Sequence, residues 1–139
     1  MKSFFKLAVA AAVGSAALLA TGNASAERPA NLGGTTWTLQ ANRDVSQLVI
    51  TAQFGPGAPG QAICRGISGT IGVAAIHGWY CPSTGRIHFQ HVNAGVTARA
   101  FTGNVSDDVL GQPLFMAGTM MVEDAAHGDL GEYNFSAVK

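Results

Sequence analysis

Hydrophobic and polar residues alternate along most of the chain after residue 34, with the period of two that a strand with one buried face requires. The pattern predicts eight short strands and no helix beyond the first 26 residues. The connections are short and rich in Gly, Asn, Asp and Pro, which are typical of reversals between antiparallel strands. The predicted strands cover residues 35–41, 46–54, 63–71, 74–80, 86–92, 95–105, 114–122 and 132–138.

Consecutive hairpins define the predicted fold class. Because every connection has the character of a hairpin, we predict an all-β, eight-stranded antiparallel up-and-down barrel over residues 35–139, which leaves no exposed sheet edge. A two-sheet sandwich is the alternative. Residues 27–34 are polar, contain a proline and lack periodicity, which predicts a flexible N-terminal arm.

The first hairpin has a register in which its apolar faces coincide. We expect Trp37 opposite Ile50, so that the apolar side chains of both strands share one face. The alternation along the second strand then points Ala52 into the barrel and Gln53 out of it. The Gly- and Pro-rich segment 55–60 that follows is predicted to be a loop.

The alternating pattern of residues 62–92 predicts three consecutive strands, and this stretch contains both cysteines. A reversal at Gly72 and Val73 places Cys64 directly opposite Cys81, at a separation that a disulfide can bridge. We therefore predict a Cys64–Cys81 disulfide, which would close a loop of about 17 residues. A second turn at residues 82–85 places Trp79 opposite His88.

These two hairpins give one consistent assignment of faces. The inner face holds Ile63, Ile67, Ile71, Ile76, Tyr80, Ile87, Phe89 and His91. The outer face holds Cys64, Ser68, Thr70, His77, Trp79, Cys81, Arg86, His88 and Gln90.

The strand at residues 95–105 admits two registers. A two-residue turn at Asn93 and Ala94 points Val96, Ala98 and Ala100 inward. A three-residue turn with Gly95 in the left-handed conformation instead points Thr97, Arg99 and Phe101 inward.

The first 26 residues have the features of a bacterial signal peptide. A short basic region precedes an apolar run at residues 7–20, which is shorter than the roughly 18 residues of a membrane span. Ala24-Ser25-Ala26 matches the A-x-A cleavage pattern. We predict cleavage after Ala26, no membrane span in the mature chain, and a periplasmic or secreted location.

Charge excludes one class of partner. Without residues 1–26 the chain keeps six basic and eight acidic side chains, a formal net charge of −2. It has no basic stripe interleaved with aromatic residues, so nucleic acid is not an expected partner.

Short motifs resemble those of small exported barrels. The sequence GTTW at 34–37 resembles the entry strand of avidins, lipocalins and other calycin-type barrels, in which a Gly and a Trp close the barrel bottom. The segments 69–71 and 133–138 are similar in placement to those of avidins. WTL at 37–39 also resembles the first strand of bacterial metalloprotease-inhibitor barrels, which are periplasmic and carry one disulfide.

The resemblance and the face assignment together predict a non-enzymatic binding barrel. We expect it to bind a small apolar or amphipathic ligand; the alternative is an inhibitor-like barrel that binds a protein through residues 27–33. The predicted ligand-binding residues are Trp37, Tyr80, His91, Arg99 and Tyr133.

No catalytic, metal or cofactor site is predicted. His88 and His91 lie three positions apart, and on a strand such positions point to opposite faces, so they do not form a chelating pair. The acidic pairs at residues 107–108 and 123–124 lie in loops, and nothing in the pattern positions them as an acid and a base.

Overall fold

The computed structural model of the protein describes residues 27–42, 44–55 and 64–139. They form a closed barrel in which eight antiparallel strands pair in chain order and the last strand pairs with the first. The predicted eight-stranded barrel is thereby confirmed over the sandwich. The strands are β1 (Thr35–Ala41), β2 (Asp44–Phe54), β3 (Arg65–Ile71), β4 (Ala74–Cys81), β5 (Arg86–Asn93), β6 (Val96–Val105), β7 (Phe115–Val122) and β8 (Gly131–Val138).

The hairpins β3–β4 and β4–β5 have the predicted registers. Ile67 lies opposite Gly78, and Trp79 lies opposite His88. Cys64 and Cys81 form the predicted disulfide across the barrel wall, with 4.0 Å between their Cα atoms. The predicted signal peptide, Ile63 and most of the predicted loop at residues 55–60 lie outside the described residues.

The register predicted for the first hairpin is wrong by two residues. Trp37 lies opposite Leu48 rather than Ile50. The connection between Ala41 and Asp44 holds only two residues, and Asn42 adopts the positive φ of 55° that such tight hairpin turns require. A shift of two positions keeps every side chain on its predicted face up to Ile50.

A β-bulge in β2 overturns the face assignment beyond Ile50. The pairing with β3 shifts between Ile50 and Ala52, which leaves Thr51 as the extra residue. Ala52 therefore points outward and is exposed, whereas Gln53 lies opposite the buried Ile67. The prediction of an inward Ala52 and an outward Gln53 was wrong for this reason.

The turn between β5 and β6 differs from both predicted versions. Asn93 pairs with Val96, so the two-residue turn is Ala94-Gly95. Both residues have positive φ, 50° and 82°, as the tight turn of a twisted hairpin requires.

A second bulge then sets the orientation of β6. The register shifts between His91 and Val92, which leaves Ala98 as the extra residue. Arg99 and Phe101 consequently point inward, as the three-residue version predicted, but Thr97 lies opposite Val92 on the outer wall.

Side chains fill the middle of the barrel. The rings of Phe89 and Phe101 stack with centroids 4.6 Å apart, and Phe135 meets them edge-on at 6.1 and 5.4 Å. The largest fully buried side chains are Trp37, Tyr80, Phe89, Phe101, Leu32, Leu48, Ile50, Ile67, Ile76, Ile87 and Met116. Met120 on β7 and Phe135 and Ala137 on β8 are also buried.

The two ends of the barrel differ in chemistry. At one end, which we call the arm end, residues 27–34 pack beside the turn at 82–85 and the loop at 106–114. The other end, which we call the histidine end, carries the connections at 42–43, 72–73, 94–95 and 123–130. Within the described ranges, no helix is long and apolar enough to cross a membrane.

Candidate functional site

The opening at the histidine end is crossed by an arginine. Arg99 on β6 points inward, and its Nη2 lies 3.6 Å from Oδ2 of Asp44 on β2. In a barrel whose eight strands pair in chain order, β2 and β6 stand on opposite sides. Only 21% of the Arg99 side chain is exposed, against 64% for Asp44, so the carboxylate is the outer and more solvated partner.

Two histidines stand beside this arginine. His91 lies directly opposite Arg99 in the β5–β6 ladder and points inward as predicted. Its ring meets the ring of His127 edge-on, with centroids 5.1 Å apart. The carbonyl oxygen of His127 accepts hydrogen bonds from Nε of Arg99, at 3.0 Å, and from its Nη2. The 123–130 connection is thereby fastened over part of the opening.

The side chain of His127 is held on both ring nitrogens. Nδ1 lies 3.1 Å from Oδ2 of Asp124, and Nε2 lies 3.2 Å from the amide nitrogen of Asn93. Because an amide nitrogen only donates, the network assigns the neutral tautomer in which Nδ1–H donates to Asp124. Asp124 also caps the short 3₁₀ turn Ala125–His127, since its Oδ1 accepts from the Ala126 N–H.

Electrostatics at this end favour a neutral His91. Burial is the main cause that lowers the pKa of His91 below 6.5, and the neighbouring His127 and Arg99 lower it further. The pKa of the Asp124 carboxyl is also lowered, chiefly by the hydrogen bond from the Ala126 backbone and then by His127. The cluster therefore holds Arg99 as a fixed positive charge beside a polar but neutral imidazole.

Tyr133 and three aliphatic residues complete the histidine end. Tyr133 packs against the core, and its hydroxyl donates to the carbonyl oxygen of Asp129 at 3.1 Å. Val73, Val96 and Leu130 are largely exposed at this end; Val73 and Leu130 lie in two different connections, and Val96 is the first residue of β6. Apolar tips thus border a polar opening.

The other two predicted ligand-binding residues lie at the arm end. Trp37 is 1% exposed, and its indole N–H donates to Oγ1 of Thr35, which in turn donates to the carbonyl oxygen of Leu32. Tyr80 is fully buried, and its hydroxyl donates to the carbonyl oxygen of Pro29 at 2.8 Å. Both side chains hold the arm in place and offer no free polar group to a ligand.

The segment predicted to be a flexible arm is packed against the barrel. Leu32 is fully buried, and the redirected Gln53 binds the backbone of the arm twice: Oε1 accepts from Leu32 N–H and Nε2 donates to the carbonyl oxygen of Ala30, both at 2.9 Å. Arg28 pairs with Asp107 at 3.5 Å. The mobility of this segment stays a prediction, but its docked position closes the arm end.

Depressions on the outside of the barrel are shallow. Two, of about 300 and 250 Å³, flank the seam between β1 and β8 and share Gln40 and Ser136 as lining residues. Among the described residues, no group of three or more His, Cys, Asp or Glu side chains is arranged to hold a metal ion.

The structure divides the predicted site residues into two sets. It brings His91, Arg99 and Tyr133 to the histidine end and places Trp37 and Tyr80 at the arm end. Sequence reasoning missed three residues of the site, namely Asp44, Asp124 and His127. The sequence did contain a signal for Asp124 and His127, because an aspartate three positions before a histidine is compatible with a short turn that the aspartate caps.

Neither protein-family profiles nor curated protein sequences gave a match to this chain. The resemblance to calycin-type and inhibitor barrels therefore stays a prediction.

Proposed function

We propose that this protein is an exported, non-enzymatic binding barrel that takes a small amphipathic ligand with an acidic headgroup at its histidine end. The observation that carries the proposal is the contact between Arg99 and Asp44 across the opening. An inward arginine in a barrel of apolar side chains needs an anionic partner, and the partner it has is a mostly exposed carboxylate. A ligand carboxylate can take the place of Asp44.

The headgroup site is built to exchange one carboxylate for another. Because the Asp44 side chain is 64% exposed, its ion pair with Arg99 is worth only about 0–1 kcal/mol, and water or a ligand competes for the guanidinium. His91 faces Arg99 across the ladder and offers a ring nitrogen to the same headgroup. The pairing of β5 with β6 places both side chains next to each other before a ligand arrives.

The apolar part of the ligand is placed outside the barrel core. Phe89, Phe101 and Phe135 occupy the middle of the barrel, so a chain that enters the opening meets packed rings. The exposed Val73, Val96 and Leu130 supply apolar surface around the opening instead. A short alkyl chain gains about 25 cal/mol for each Å² that it buries against them.

The arrangement of His127 supports a binding role over a catalytic one. The Nδ1–Asp124 hydrogen bond resembles the orienting half of a catalytic dyad, but the other ring nitrogen faces the Asn93 amide. An amide is not a nucleophile, so this imidazole has no hydroxyl or thiol to activate. The network stabilises the connection that covers part of the opening.

Export is supported by the cysteines. The Cys64–Cys81 disulfide is of the kind that persists in the periplasm or outside the cell. A signal peptide at residues 1–26 accounts for its presence there.

The inhibitor-like alternative has less support. It requires residues 27–33 to leave the barrel and enter a protease, whereas Leu32 is fully buried and its N–H is bound by Gln53. Release of the arm would expose that side chain and break the hydrogen bond from Tyr80 to Pro29.

Titration with two probes of equal chain length tests the proposed function. Octanoate carries the acidic headgroup, and octylammonium carries the same chain with the opposite charge. We expect octanoate to shift the NMR signals of the His91 and His127 rings in a saturable manner, and octylammonium to leave them unchanged. Equal shifts with both probes, or no shift with octanoate, would contradict the proposal.

A further inference from the structure

A row of rings crosses the outer wall of the barrel near the arm end. Trp79 on β4 and His88 on β5 are cross-strand partners, and their rings stack with centroids 5.7 Å apart. Phe54 on β2 pairs with Gly66 on β3, which is itself the partner of Trp79. We call Phe54, Trp79 and His88 the aromatic row.

Gly66 makes the row continuous. Any side chain at this position would collide with the Phe54 ring, which therefore lies over the glycine toward β4. Since neighbouring strands are about 4.8 Å apart, the four strands from β2 to β5 carry the row over about 14 Å. Phe54 is 56% exposed, and Trp79 and His88 are partly exposed, although no hydrophobic core requires rings on this face.

The strand segments that carry the row hold an arginine and no carboxylate. The exposed Arg86 guanidinium lies over the Trp79 ring, 5.9 Å from its centroid. His77 is exposed on the same wall. The whole sequence from residue 45 to residue 106 contains no Asp or Glu, so all eight acidic residues lie elsewhere in the chain. A protein with more acidic than basic residues after residue 26 thus has strands β3 to β6, and β2 beyond its first residue, without an acidic side chain.

We propose that the aromatic row binds an anionic polysaccharide chain. The negative face of an indole or phenyl ring attracts the C–H groups on the flat side of a sugar ring, and a row of rings suits a chain of such sugars. Arg86 matches a sugar carboxylate with its planar fork of donors. His88, held by its Nδ1 contact with Thr102 Oγ1 at 2.9 Å, keeps a fixed orientation in the row.

Charge and shape favour this partner over others. A lipid surface calls for aliphatic side chains on the same face, whereas polar residues flank the row at Ser68, Gln90 and Thr102. An acidic polypeptide offers the charge but has no succession of flat C–H faces to stack on three rings. The site is separate from the histidine end, because Cys64 and Cys81 beside it lie toward the arm end.

Binding to three polymers tests the proposal. Polygalacturonate has flat sugars and carboxylates, dextran has sugars without charge, and poly-glutamate has carboxylates without sugars. By calorimetry, we expect the purified protein to bind polygalacturonate at least about tenfold more tightly than either of the others. Tighter or equal binding of dextran or poly-glutamate would overturn the proposal.

Matched variants locate the site. Trp79→Leu is expected to weaken polygalacturonate binding by about tenfold or more, the loss typical of an aromatic anchor. Phe115→Leu, which alters a ring 51% exposed on β7, leaves the affinity unchanged. Arg86→Gln weakens binding severalfold while Lys139→Gln, which removes the same charge at the chain end, has no such effect. Wild-type affinity of Arg86→Gln would overturn the proposal even if Trp79→Leu fails to fold.

Discussion

Arg99 reaches from β6 to Asp44 on β2, so one ion pair of 3.6 Å joins strands that stand on opposite sides of the barrel. The pair lies above a middle filled by phenylalanine rings. It neutralises the arginine without burying the carboxylate, which leaves the guanidinium available to an incoming anion.

Removal of the disulfide lowers stability. The Cys64–Cys81 bond closes a loop with a sequence separation of 17. The double substitution Cys64→Ser and Cys81→Ser frees that loop in the unfolded chain, and we expect the free energy of unfolding to fall by about 2–4 kcal/mol. Urea denaturation with and without reductant measures the change. A variant as stable as the oxidised wild type would contradict the stapling role.

Gln53 is predicted to hold the arm in place. Gln53→Met keeps the side-chain volume but removes both hydrogen bonds to the arm, and it leaves the N–H of the fully buried Leu32 without a partner. We expect a loss of about 1–3 kcal/mol and faster hydrogen exchange at residues 30–34. The control Gln47→Met changes an outward residue of the same strand. Unchanged hydrogen exchange at Leu32 in Gln53→Met would contradict the proposed role of Gln53 in holding the arm.

The ionisation of Tyr80 at alkaline pH reports whether the arm is docked over its hydroxyl group. Burial is the main cause that raises its pKa to about 12, with Arg28 lowering and Asp107 raising it. The unfolded chain ionises near 10, so this contribution to stability is complete below pH 10 and is lost as the pH rises toward 12. In a Tyr133→Phe background, where Tyr80 is the remaining tyrosine, absorbance at alkaline pH follows its ionisation. Ionisation of the folded protein near pH 10 would contradict the buried hydroxyl.

The lowered pKa of His91 predicts that the protein loses stability at acidic pH. Its folded pKa is lowered by burial and by His127 and Arg99, so the unfolded chain takes up the proton first as the pH falls. The contribution to stability is therefore complete above pH 6.5 and decreases below it until the folded His91 is also protonated. When unfolding is measured as a function of pH, the free energy of unfolding should decrease less below pH 6.5 in His91→Gln than in the wild type. The neighbouring Gln90→Ala should keep the wild-type dependence on pH. Equal slopes in all three proteins would contradict the prediction.

Counting the residue pairs on either side of each turn predicted the strand registers wherever the turn allowed only one tight conformation. The reversal at Gly72 and Val73 has one tight solution, and it gave both the β3–β4 register and the disulfide. Alternation along the strands gave the inward Tyr80 and Phe89. The closed barrel followed from hairpins that succeed one another without a crossing connection.

The two bulges explain most of what the sequence did not reveal. An extra residue at Thr51 or Ala98 breaks the period of two without any change in composition, because a bulge depends on the pairing with the neighbouring strand. Each bulge brings a polar side chain inward, Gln53 at the arm end and Arg99 at the histidine end. The placement of His127 was also hidden, because a loop residue reaches His91 only once the barrel has closed.

The most direct test of the proposed binding site is the affinity for octanoate in two opposed variants. If a ligand carboxylate replaces Asp44 on Arg99, Asp44→Asn removes the competitor and tightens binding, by about fivefold at most given the worth of a half-exposed ion pair. Arg99→Gln removes the anchor and weakens binding by tenfold or more, as loss of a charged hydrogen-bond partner implies. Calorimetry that finds one affinity for wild type and both variants, or weaker binding by Asp44→Asn, would contradict the account.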